Sequence, residues 1–253
     1  MSNGWDFVKT ARKSIPSWWA NITDDLPIKG VLHTNFSSSN LKRDINWPAP
    51  KKASLNDIKK IISEFENTAS RAIRAGFDGI EIHMAHGYLI HQFLSPICNV
   101  RNDEYGGSVK KRCRLSLEIT ERIKKKLPKN KILGIRLTGS DHLNKGICLK
   151  DSVYLAKKLK NIGVNYICIS SGGIIRKTNL NINKQAFRVA MTKKIKENLK
   201  NVLVGTTGRL ENLKNLEKNI LSKKLDLAFI GRPFLKNSNW LYDSLDKNYI
   251  PKQ

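Results

Sequence analysis

The 253-residue chain contains no Cys-x-x-Cys pair, no short-period repeat and no low-complexity tract. It also has no apolar run approaching the roughly 18–20 residues a membrane helix needs. Its four cysteines, Cys98, Cys113, Cys148 and Cys168, are scattered. That argues against a zinc ribbon, an iron–sulfur site or a disulfide framework and leaves reduced, structural thiols. No charged-then-apolar leader opens the chain, so the expectation is a soluble, cytoplasmic protein. Acidic residues are scarce, 21 against 46 basic ones, giving a formal net charge of +25. Dense positive charge is the usual footprint of phosphate contacts with nucleic acid. Here, however, the lysines are spread over every predicted helix, as in Lys124-Lys125-Lys126 and Lys193-Lys194. The charge is therefore read as compositional bias, which speaks to solubility more than to fold.

What is present is an ordered rhythm. Hydrophobic residues make up 40% of the chain, enough for a sizeable core. Residues 1–53 show no clear periodicity and are expected to be irregular; residues 54–253 are not. Ser54 and Asp57 form a capping-box-like helix start. Ile58, Ile61, Ile62, Phe65, Ala69 and Ile73 mark one helical face, and Gly76 closes the helix. Short apolar strands then alternate with amphipathic helices. Strands are expected over 79–83, 132–137, 166–170, 202–205 and 225–230, and helices over 109–127, 150–162, 187–199, 210–221 and 238–245. This alternation implies an α/β fold with a parallel sheet and outer helices, closing as a TIM-type (β/α)8 barrel. A full barrel has eight such units. Only five are legible, from Gly79 onward, so either the barrel is incomplete or its N-terminal region, residues 1–53, is divergent.

Barrel active sites lie at the C-terminal ends of the strands. The first legible strand ends in His83, His86 and Tyr88. Two imidazoles and a phenol within six residues could grip a carbonyl oxygen and protonate the neighbouring carbon. A metal site ranks well below, because nothing marks the nearby Glu81 as a third ligand. The stretch from Ser95 to Ser108 reads equally as a structural loop and as a substrate-facing one. Arg136 sits inside the second strand, where an unpaired charge would be costly. It suits either an electron-rich ring or anion, or an ion pair, for instance with Asp141. The third, fourth and fifth strands end in Ser170-Ser171-Gly172-Gly173, Gly205-Thr206-Thr207-Gly208-Arg209 and Gly231-Arg232-Pro233. Each glycine alone reads as a turn. Together, in these places, they suit a phosphate grip.

The stretch from His83 to Pro96, followed by Asn99, Arg101 and Asp103-Glu104-Tyr105-Gly106-Gly107-Ser108, resembles the signature of the old yellow enzyme family in its His-x-x-His-Gly-Tyr branch. These are FMN-dependent NAD(P)H:flavin oxidoreductases, or ene-reductases. Ile135-Arg136, Ser170-Ser171-Gly172-Gly173 and Phe229-Ile230-Gly231-Arg232 resemble the family's later strands, and Ala11 to Trp18 faintly resembles an earlier family segment. The resemblance implies FMN as cofactor, NADPH or NADH as reductant, and an enone-type small molecule as substrate. His83 and His86 would bind the substrate oxygen and Tyr88 would donate the proton. Arg136 would lie by the flavin ring. Gly172, Gly173, Thr207, Gly208, Gly231 and Arg232 would hold the phosphate. The segment from Asn183 to Val189 departs from the family's Gly-Pro-x-Tyr-Gln pattern. Two alternatives stay open. One is a barrel fragment without tight flavin binding, whose bare sheet edges invite association into a homo-oligomer. The other is an RNA-acting flavoprotein of the dihydrouridine synthase type, which only the charge supports.

Overall fold

A computed structural model of the chain describes residues 36–42, 49–175 and 186–245. Ala11 to Trp18, and Asn183 to Gln185 of the departing segment, lie outside the described residues. Helix α1 (Leu55–Arg74) starts as its sequence dictates. The Ser54 hydroxyl accepts from the Asp57 N–H at 3.1 Å, and the Asp57 carboxylate accepts the Ser54 N–H at 2.9 Å. A reciprocal pair of this kind satisfies two of the donors left bare at a helix start. Ile58, Ile61, Ile62 and Ala69 are buried along one face. The chain leaves the helix through Gly76 at φ +92°, a left-handed turn that glycine adopts without steric cost.

Two short strands, β1 (Phe36–Ser37) and β2 (Lys51–Lys52), pair in parallel ahead of α1. The main sheet follows: β3 (Gly79–Met84), β4 (Ile132–Thr138), β5 (Tyr166–Ser170), β6 (Leu203–Thr207) and β7 (Leu227–Phe229), all parallel and adjacent in chain order. Consecutive strands lying side by side, each joined by an outer helix, form a barrel wall opened along one line. The connecting helices are α2 (Leu89–Leu94), α3 (Val109–Arg112), α4 (Arg114–Lys126), α5 (Leu149–Ile162), α6 (Val189–Lys196) and α7 (Leu213–Leu221). Two short helices, α8 (Arg232–Lys236) and α9 (Trp240–Ser244), close the described chain. The expected helix over 109–127 is broken at Cys113, which caps α3 and starts α4. Helix α2 was not expected.

The register divides the sheet into two unlike faces. Paired positions in parallel strands point the same way, and side chains alternate along each strand. Ile82, Met84, Leu133, Ile135, Leu137, Ile167, Ile169 and Val204 fall on one face, all buried in the core beneath the helices. The opposite face carries Glu81, His83, Arg136, Tyr166, Cys168, Ser170, Thr207 and Phe229. Parallel sheets ordinarily bury both faces, so a polar inner face marks where the molecule does something other than pack. Among the described residues, β3 and β7 have no neighbour on their outer edges.

The loop after α2 is a structural element, which resolves the ambiguity over Ser95 to Ser108. Buried Asn99 donates to the carbonyls of Phe93 (2.6 Å) and Tyr105 (2.7 Å). Buried Arg101 donates to the carbonyls of Ser38 (3.1 Å) and Ala53 (2.7 Å) and pairs with Asp103 at 2.6 Å. An arginine so placed ties β1 and β2 to the loop. Its loss would leave the Ser38 and Ala53 carbonyls without this donor.

Candidate functional site

The chain crosses the top of β3 in a left-handed turn, with His86 at φ 62° and Gly87 at φ +77°. The turn presents three rings to one another edge to face. The His83 centroid lies 4.9 Å from that of His86 and 4.8 Å from that of Tyr88. The Nδ1 of His83 accepts the Ala85 N–H at 3.3 Å, which leaves its proton on Nε2 as a donor. The Nε2 of His86 meets the Ser170 hydroxyl at 2.6 Å, leaving Nδ1 for a ligand. Burial pushes both imidazoles down, His83 to about 3 with the help of His86 and Arg136, and His86 to about 4 with the help of Arg136 and Arg188. Both are therefore neutral at physiological pH. A pair of neutral N–H donors beside a phenol can hold a carbonyl oxygen without carrying a full charge.

A buried network holds this turn. The N–H of Gly87 donates to Nδ1 of His91 at 2.8 Å, and Nε2 of His91 donates to Asp141 at 2.8 Å. Asp141 also accepts from the Ser95 hydroxyl and the Ile147 N–H, each at 2.7 Å. His91 and Asp141 are fully buried. With Nδ1 an acceptor and Nε2 a donor, His91 is neutral, and its ring bridges the β3 turn to the loop after β4. Burial raises the Asp141 carboxyl, but the bonds from His91, Ile147 and Ser95 outweigh it and hold the group below its ordinary value.

Asp141 is therefore not the partner of Arg136. Arg136 stands opposite His83 in the register and donates from Nε to Glu81 at 2.8 Å. Glu81 also accepts the Tyr166 hydroxyl at 3.1 Å. The Arg136 guanidinium lies 5.9 Å from the Phe229 ring centroid, and Phe229 packs on Tyr166 at 5.6 Å. Glu81, considered at first only as a metal ligand, is the anchor that orients Arg136 on the inner face. No cluster of three metal-ligating side chains occurs among the described residues.

The glycine-rich strand ends lie beside this cluster. Gly172, Gly173 and Gly208 all have left-handed φ (+77°, +89° and +103°). A Cβ on Gly87 would run into the Gly173 carbonyl, and one on Gly173 would come within 2.8 Å of the His86 backbone. The β3 and β5 loops thus touch backbone to backbone. The Gly172 N–H donates to the Ser140 carbonyl at 3.4 Å, so part of this loop serves its own architecture. A Cβ on Gly231 would meet nothing, and Arg232 follows it at the start of α8. Between the β5 and β6 loops lies a residue that sequence reasoning missed, Arg188. Its Nε donates to the Ser171 hydroxyl (2.8 Å), its Nη1 to the Thr207 carbonyl (3.1 Å) and its Nη2 to the Ser171 carbonyl (3.2 Å). The signals available were the departure of the segment from Asn183 to Val189, in which it lies, from the family's Gly-Pro-x-Tyr-Gln pattern, and a cation beside an aromatic, Phe187.

Of the four cysteines, Cys113 and Cys168 are buried, and burial pushes both thiols up to about 12. They are inert packing thiols, as expected. No described helix is long and apolar enough to cross a membrane.

A family model described as the NADH:flavin oxidoreductase / NADH oxidase family matches residues 29–248. The chain is 37% identical over 202 residues to an NADPH dehydrogenase of Bacillus subtilis, covering 80% of this chain and 58% of that protein. It is 38% identical over 202 residues to an NADH:flavin oxidoreductase of Gibberella zeae, covering 75% of this chain and 49% of the relative. The chain thus spans only about half to three fifths of these relatives' own lengths. Among solved structures, a 2-naphthoyl-CoA reductase superposes with a TM-score of 0.72 at 23% identity, over 79% of this chain and 30% of that one. That likeness supports the fold, an incomplete α/β barrel.

Proposed function

The chain belongs to the NADH:flavin oxidoreductase / NADH oxidase family, and we propose on that premise that it binds FMN and reduces the C=C bond of α,β-unsaturated carbonyl compounds with NAD(P)H. The observation that carries this reading is the three-ring cluster at the end of β3. Two neutral imidazoles and a phenol converge there, in contact with the glycine-rich end of β5.

The residues present fit the cofactor at its phosphate end. Arg232 lies close enough to Arg188 to lower its pKa; Arg188 donates to the Thr207 carbonyl and lies against Gly208, and the space beside Gly231 is open. Gly172 would support the same loop. On the inner face Arg136, fixed by Glu81, would lie against the ring system. FMN, when bound, supplies the chemistry of taking hydride from NAD(P)H and passing it to the β-carbon of the acceptor. The chain's own residues do the rest. His83 and His86 grip the carbonyl oxygen with N–H donors and stabilise the negative charge that grows there. Tyr88 gives its proton to the α-carbon. The His91–Asp141 bridge keeps the turn in place, so these groups need no rearrangement as charge develops.

The test is consumption of NADPH by the purified protein, supplied with FMN and 2-cyclohexen-1-one, alongside Tyr88→Phe. Enone-dependent turnover that falls in the variant supports the reading; no turnover with flavin bound refutes it. A second reading, a barrel portion that keeps the motifs without tight flavin binding, is favoured by the edges of β3 and β7, which have no partner strand among the described residues. A concentration-dependent oligomer that takes up no FMN would support it.

A further inference from the structure

Arg188 is half-buried at the junction of two glycine loops, and nothing acidic accompanies it among the described residues. Its three hydrogen bonds all go to neutral acceptors on Ser171 and Thr207. A guanidinium offers five N–H groups in a planar fork. Two therefore remain without a protein acceptor among the described residues. The Phe187 ring, 4.2 Å from the guanidinium carbon, fixes the plane of the fork. Gly208 sits directly against Nη1, so that any Cβ there would collide with the cation. Buried cations are ordinarily paired, and two cations without a counter-ion destabilise each other. Desolvation first, and the nearby Arg232 after it, pull the Arg188 pKa down to about 10; the thiol of Cys168 is the one neighbour whose ionised form would help, and burial keeps it protonated.

We propose that Arg188 is a phosphate-binding residue of this chain, its fork reserved with Arg232 for a phosphate monoester dianion, the terminal phosphate of FMN. The inference rests on the FMN reading and adds to it a side chain from the β5–β6 connection. A dianion placed between Arg188 and Arg232 supplies the missing counter-charge; Gly208, lacking a Cβ, lets the fork lie against the β6 loop, and the space beside Gly231 is open. Were Arg188 only a clamp between Ser171 and Thr207, its removal would cost stability and leave anion preference unchanged.

The experiment compares FMN with riboflavin, which lacks the phosphate, by fluorescence titration of the full chain and of Arg188→Gln and Arg188→Lys. Arg188→Gln is expected to weaken FMN about 10- to 100-fold, the range for one charge-assisted hydrogen bond, with riboflavin changed less than about twofold and Arg188→Lys intermediate. An unchanged FMN-to-riboflavin ratio in Arg188→Gln overturns the proposal. A shift in the NADPH-to-NADH ratio instead overturns the assignment to the flavin phosphate. If the wild-type chain binds neither flavin, the FMN reading fails, and inorganic phosphate then tests Arg188 alone. A rise in melting temperature with phosphate that Arg188→Gln loses supports it, and an equal rise in both overturns it. Should Arg188→Gln not fold, phenylglyoxal labelling of Arg188 in the wild-type protein decides. Protection by FMN or phosphate and not by riboflavin supports the proposal; no protection overturns it.

Discussion

Replacing Asp141 with asparagine should damage the molecule far more than a one-atom change suggests. The carboxylate accepts three donors, from His91, Ser95 and Ile147, in a fully buried place. An asparagine offers one acceptor oxygen and one NH2. If the oxygen keeps Ser95 and Ile147, the NH2 faces the Nε2–H of His91, donor against donor. His91 can relieve this only by moving its proton to Nδ1, where it would confront the Gly87 N–H. The conflict then appears in the turn that carries His86 and Tyr88. The variant loses the bond from His91 and removes the charge that strengthens the bonds from Ser95 and Ile147; at about 1.5–3 kcal/mol for each hydrogen bond to a charged group, the loss is about 3–5 kcal/mol, so the melting temperature should fall by on the order of 10 °C for a domain of this size. Urea unfolding followed by circular dichroism measures it, as a lower midpoint at constant slope. Ser95→Ala, which removes one bond to the same carboxylate, should cost only about 1.5–3 kcal/mol. A loss below about 1 kcal/mol in Asp141→Asn would refute the network as the support of the turn. The pH dependence has a definite sign. The folded carboxyl is held below its ordinary 3.8, so its stabilisation is fully present above that pH and disappears as the pH falls beneath it.

Other outcomes follow from the same geometry. Tyr88→Phe should lower kcat about 10²- to 10⁴-fold, the range for a general acid, while FMN binding and the melt stay as in the wild type; stopped-flow oxidation of the reduced flavin by 2-cyclohexen-1-one reads the step. His83 and His86 are neutral when folded, at about 3 and 4, and take up protons near 6.5 once unfolded. Stability should therefore decline as the pH drops from about 6.5 toward 4, and a melting series across that window should flatten in a His83→Gln/His86→Gln double variant. Gly87→Ala should be destabilised by at least about 1–2 kcal/mol from its left-handed backbone alone, with the collision against the Gly173 carbonyl added; a wild-type melt would contradict the contact between the two loops.

The five strands were legible because each is a short apolar run. The register then places their aliphatic residues on the helix-covered face. The start of α1 was legible because Ser54 and Asp57 satisfy its first donors locally. Helix α2 was not, since Leu89, Ile90, His91, Phe93 and Leu94 are all buried and a short helix buried all round carries no amphipathic period. The three-ring cluster stood out because His83, His86 and Tyr88 are close in sequence. Their support did not, because the His91–Asp141 bond spans 50 residues and nothing local announces it. Glu81 was within reach of simple reasoning. It lies two residues before His83, hence on the same face of the strand, and the neighbouring strand brings Arg136 opposite His83. Arg188 had no such handle. Its place depends on how two loops converge, and only the fold supplies that.

The five barrel units are proposed to hold FMN between the β3 cluster and the glycine-rich ends of β5 to β7. The decisive measurement is titration of the purified chain with FMN while the visible spectrum and the thermal melt are recorded. A saturable shift of the flavin bands is expected, with a melting temperature that rises with FMN concentration by mass action on the folded state. Unshifted flavin bands and a melt indifferent to FMN at saturating concentration would contradict it.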